Sequence, residues 1–143
     1  MKVKICGITN IPDALAAAAS GADYLGFVFH PRSPRYVSPA TVSEIAAALP
    51  SPRPELVGVF VNPAPAELRA ILEQCPLDII QLHGDEDPGF AVSLSPRRVW
   101  KAWHLDSEDQ LPALTAFPAA AIVGDGESSQ ERVGTRVVCD WSL

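Results

Sequence analysis

The chain has 143 residues, 48% of them apolar and 20% charged, with a formal net charge of -6. That length fits one domain with enough apolar material for a real core. The acidic balance and the scatter of its 11 basic residues argue against nucleic acid and anionic membrane, which both reward clustered Lys and Arg.

A small molecule is therefore the expected partner. The three cysteines, Cys6, Cys75 and Cys139, lie far apart and form no CxxC pair, so neither a metal site nor a redox dithiol is expected. The sequence opens directly on Lys2-Val3-Lys4-Ile5-Cys6, with no leader-like apolar segment and no run long enough to span a bilayer. The expected location is the cytoplasm, with thiols kept reduced.

Short β-branched runs alternate with Ala- and Leu-rich amphipathic stretches. In chain order, the pattern predicts a strand over 3–6 and a helix over 12–19, with Gly21 just past its end. A strand over 24–29 follows, then a helix over 39–49 with Ser38 as its N-cap. Next come a strand over 56–61, a helix over 64–74 and a strand over 78–82. Helices near 87–94 and 107–116 flank a strand over 98–102, and a sixth strand covers 120–123. The 14 prolines fall mostly at the joints, where they punctuate.

Six strand–helix alternations at this spacing predict parallel strands joined by right-handed crossovers. Neither GxGxxG nor GxxxxGK[ST] occurs, so no common nucleotide loop supports a doubly wound sheet. The (β/α)₈ barrel is the main competitor, and it places chemistry at the C-terminal strand ends. Polar residues collect there: Cys6, the 30–36 loop, Asn62, His83, Lys101 and Asp125. Lys101 and Asn62 fit either the site or barrel packing.

The same residues carry a resemblance. Lys4-Ile5-Cys6-Gly7-Ile8-Thr9 is similar to the opening signature of the phosphoribosylanthranilate isomerases. The likeness continues through Gly21-Ala22-Asp23-Tyr24-Leu25-Gly26-Phe27-Val28-Phe29, Ser33-Pro34-Arg35 and Val57-Gly58-Val59-Phe60-Val61-Asn62. It runs on through Gln81-Leu82-His83-Gly84-Asp85-Glu86 to Asp140-Trp141-Ser142-Leu143. This order covers essentially the whole chain.

The resemblance implies a (β/α)₈ barrel that isomerises N-(5-phosphoribosyl)anthranilate to its 1-deoxyribulose 5-phosphate derivative, without cofactor or metal. In that Amadori rearrangement an acid protonates the furanose oxygen, and a base takes the C2 proton. It further implies Cys6 as general base. Lys4 shares its strand face, so its ammonium would favour the thiolate. Arg35 is implied as the partner of the anthranilate carboxylate, and His83 as a substrate-binding group. For the general acid two readings stand: Asp125 fills the role, or Gly124 aligns there and Asp125 belongs to an Asp-Gly turn.

The chain departs from the family's Gly-rich turn at Val133-Gly134-Thr135-Arg136-Val137. A barrel of this type usually needs at least about 200 residues. The expectation is thus a single, incomplete barrel domain over 1–143, lacking strands seven and eight and their phosphate-binding loops. Its free sheet edges would favour self-association. Two further readings follow: an inactive fragment or interaction module, and the histidine-pathway isomerase, against which Cys6-Gly7 argues.

Overall fold

The computed structural model describes residues 1–104 and 110–125, with the side chains of His104 and Asp125 outside that description. Cys139 and the segments 126–132, 133–137 and 140–143 also lie outside the described residues, as does the start of the helix expected over 107–116.

Among the described residues six strands alternate with five helices: β1 (Lys4–Cys6), α1 (Ile11–Ala19), β2 (Tyr24–Val28), α2 (Pro39–Ala48), β3 (Glu55–Phe60) and α3 (Pro65–Gln74). They continue with β4 (Ile79–Leu82), α4 (Pro88–Ser93), β5 (Arg98–His104), α5 (Leu111–Ala116) and β6 (Ala121–Asp125). Each helix has a proline in its first turn, where the missing N–H costs nothing. Asn10, Ser38 and Asp87 cap α1, α2 and α4 by accepting from the backbone N–H three residues on. Gly21, at φ +87°, turns the chain out of α1.

The strands form one sheet in the order β1-β2-β3-β4-β5-β6, all parallel. That order decides the architecture. A doubly wound sheet reverses its strand order at a switch point, whereas right-handed crossovers that always step the same way put every helix on one face. The result is the wall of a (β/α) barrel, with six strands in place.

Strand alternation then sorts the side chains. One face carries Leu25, Phe27, Leu56, Phe60, Ile80, Leu82 and Val99, which pack with Val42, Ile45, Leu68 and Ile71 of the helices in a single buried cluster. Each such side chain contributes about 1.5–3 kcal/mol through burial. Phe29 stacks on Phe60 at a centroid distance of 5.1 Å. The opposite, lumen face carries Lys4, Cys6, Tyr24, Gly26, Gln81 and Trp100. Lys4 reaches Gln81 across two intervening strands, and Tyr24 meets Trp100 edge to face at 4.9 Å. Polar groups on that face have partners: among the described residues no buried side-chain nitrogen or oxygen lacks one.

Candidate active site at the carboxyl ends of the strands

Cys6 closes β1 and its thiol is exposed. The Gly26 carbonyl accepts from Gly7 N at 2.9 Å and from Ile8 N at 3.1 Å, which fixes the turn that follows. Gly26 lies in register with Cys6 on β2. A Cβ built on Gly26 would stand 2.8 Å from Cys6 Sγ and 3.1 Å from Lys4 Cε. The missing side chain is what lets both groups occupy that spot, as a glycine inside a strand often does. Gly26→Ala is therefore expected to displace both groups, read as a changed rate of Cys6 alkylation by a small thiol reagent; an unchanged rate would refute the close packing.

Arg35 is brought to the same place by the loop after β2. Ser33 is buried and its Oγ accepts from Arg35 N at 3.1 Å, while Tyr36 bridges back to Val28. The Arg35 stem then lies directly over Gly7: a Cβ there would come within 2.5 Å of Arg35 Cδ. Gly7 has φ +90°, so both its backbone and its bare surface require glycine. Arg35, far from Cys6 in the sequence, thus lies over the residue that follows it.

His83 follows β4, its backbone N–H bonded to Phe60 O at 2.8 Å and its Nδ1 3.3 Å from Gln81 Nε2. Asp125 ends β6, paired with His104, while Gly124 pairs with Trp103 one residue earlier.

Lys101 does not join this site. It is in register with Leu82 on the helix side and is 4% exposed. Its ammonium donates to Gly84 O at 2.5 Å and to Glu86 Oε2 at 3.1 Å. Glu86 in turn accepts from Gly84 N and from Asn62 N, and Asn62 Oδ1 accepts from Asp85 N at 2.7 Å. Asn62 sits at φ +46°, a conformation that Asn tolerates better than most residues. This network ties the ends of β3, β4 and β5 together and holds the His83 loop. Packing, rather than the site, therefore accounts for both residues whose role the sequence left open.

Gly26, Gln81 and Glu86 stand within the matched motifs, but the sequence reading gave them no role of their own. A glycine and a glutamine interrupting apolar strands were the available signals. Cys75 offers a contrast to Cys6. It is buried and its Sγ donates to Pro39 O at 3.3 Å, and burial pushes its thiol pKa up, as in an inert core cysteine. Among the described residues no group of three or more His, Cys, Asp or Glu is disposed to hold a metal, and no helix is long and apolar enough to cross a membrane.

The family model described as N-(5'-phosphoribosyl)anthranilate isomerase matches residues 3–143. An isomerase of that name from Geobacter sulfurreducens is 43% identical over 143 residues, covering all of this chain and 70% of its own length. The solved phosphoribosyl anthranilate isomerase of Thermus thermophilus superposes with a TM-score of 0.83 at 40% identity, over 90% of this chain and 64% of that one. A solved isomerase in complex with reduced 1-(o-carboxyphenylamino)-1-deoxyribulose 5-phosphate gives 0.79 at 38% identity, over 88% and 66%. The chain thus spans about two thirds of the proteins it matches. By family model, sequence and fold together, the chain belongs to the N-(5'-phosphoribosyl)anthranilate isomerases, an enzyme family of tryptophan biosynthesis.

Proposed function

We propose that this chain carries out the family's isomerisation, with Cys6 as general base, Asp125 as general acid, and Arg35 and His83 as substrate-binding groups. The observation that carries this reading is the seating of Cys6 and Arg35 together over the bare backbones of Gly26 and Gly7. A carboxylate on the aromatic ring of the substrate pairs with the planar guanidinium. That contact delivers the neighbouring sugar to the thiol.

Protonation of the ring oxygen breaks the C1–O bond and leaves a Schiff base between C1 and the anthranilate nitrogen. The thiolate then takes the C2 proton, and the C2–H electrons form an enamine as the iminium is neutralised. Transfer of a proton to C1 and collapse of the C2 enol give the ketose. Atoms balance without any co-reactant. Asp125 brings a carboxylic acid to the end of the sixth strand, whereas Gly124 has no side chain from which to give a proton.

The reduced ketose phosphate bound by the solved relative is the natural probe. The chain is expected to bind it, and Arg35→Met to weaken binding about tenfold or more, since a hydrogen bond to a charged group contributes about 1.5–3 kcal/mol. Titration calorimetry reads both. A folded chain that does not bind the compound overturns the proposal.

The free thiols of Cys6 and Cys75 suit a reducing cytoplasm. Ile5 on the terminal strand β1 and Val3 just before it are exposed, which supports self-association through the sheet edge. Sedimentation velocity is expected to show a concentration-dependent species that Ile5→Lys diminishes; a monomer at every concentration would remove that part.

A further inference from the structure

We propose that Lys4 and Gln81 are positioning residues that act through His83, fixing which nitrogen of its ring carries the proton. A chain of donors and acceptors links the three residues on the lumen face. A lysine ammonium has donors only, so the Gln81 atom 2.8 Å from Lys4 Nζ is the carbonyl oxygen Oε1. That contact orients the whole amide. Its NH₂ group is then the end turned toward His83, with Nε2 3.3 Å from Nδ1.

An amide NH₂ donates and cannot accept. Nδ1 of His83 is therefore the acceptor, and the proton of the neutral ring resides on Nε2. Gln81 is only 2% exposed, so water has little access to compete for its amide. The backbone of His83, bonded to Phe60 O, keeps the ring close to this partner. Lys4 thus stands two bonds away from a histidine whose donor end it selects.

The inference rests on the proposed reading of His83 as a substrate-binding group. An anionic substrate needs a donor from that ring. The alternative tautomer would turn a lone pair on Nε2 toward the anion, so the orientation of a buried amide becomes a determinant of binding.

The test is the tautomer itself, read by long-range ¹H–¹⁵N correlation on the ¹⁵N-labelled full chain at alkaline pH, where histidine is neutral. Loss of signals in His83→Asn identifies the ring among the three histidines. The wild-type chain is expected to show the proton on Nε2. Gln81→Glu, which offers only acceptors, is expected to move it to Nδ1, and Lys4→Met to give a mixture by freeing the amide to turn.

A wild-type ring protonated on Nδ1 overturns the proposal, as does an unchanged tautomer in Gln81→Glu. Should Gln81→Glu fail to fold by circular dichroism, Lys4→Met decides, and an unaltered Nε2–H tautomer there refutes the role of Lys4. Affinity for the reduced ketose phosphate separates the two layers. Failure to bind with the tautomer as expected defeats the isomerase reading alone; binding with the tautomer reversed defeats the positioning network alone.

Discussion

Lys101→Met is expected to lower the free energy of unfolding by about 3–5 kcal/mol, the usual cost of removing one partner from a buried ion pair. The side chains of Lys101 and Glu86 are 5% and 3% exposed. Without the ammonium, the Glu86 carboxylate keeps the backbone donors of Gly84 and Asn62 but loses its countercharge. Gly84 O loses its partner as well. Glu86→Gln in the same background relieves the uncompensated charge. The double variant is thus expected to be less destabilised than the sum of the singles, a coupling that a double-mutant cycle isolates. Urea unfolding provides the values, and a loss below about 1 kcal/mol would place the pair among solvent-screened contacts.

Cys6→Ala is expected to reduce turnover by roughly 10²- to 10⁴-fold, the usual contribution of a positioned general base. Binding is expected to survive, because Arg35, the proposed partner of the anthranilate carboxylate, rests on Gly7 rather than on the Cys6 side chain. The decisive pattern is the split between the two readouts: the reduced ketose phosphate binds the variant within about threefold of wild type, while turnover falls by orders of magnitude. The exposed position of Cys6 also makes truncation mild for folding, since little packing is lost. Retained turnover in Cys6→Ala would remove the thiol from the chemistry.

The sequence carried the element order well. Apolar runs, proline punctuation and caps such as Ser38 are local signals, and the structure places all six strands and five helices within a few residues of those expected. The parallel pairing followed from the alternation, while the consecutive order rested on the barrel that the resemblance implies. Cys6 and Arg35 were legible as residues because short motifs surround them. Their juxtaposition was not, since it depends on Gly7 and Gly26 having no Cβ where two other side chains must pass.

Lys101 shows a second limit. A charged residue near a strand end invites a reading as part of the site. Which face it takes depends on register, and one step along a strand reverses the face. Its partner Glu86 lies 15 residues away in the loop between β4 and α4, a pairing that no local pattern records. Gln81 was hidden within a motif, and only its bonds to Lys4 and His83 reveal what it orients.

The most direct measurement is turnover by the purified chain itself: product fluorescence followed over time after adding N-(5'-phosphoribosyl)anthranilate. The expected result is product formed at a rate proportional to the concentration of the chain and above that of buffer. A folded chain that binds the reduced ketose phosphate, yet forms no product beyond the buffer rate, would contradict the proposed isomerisation.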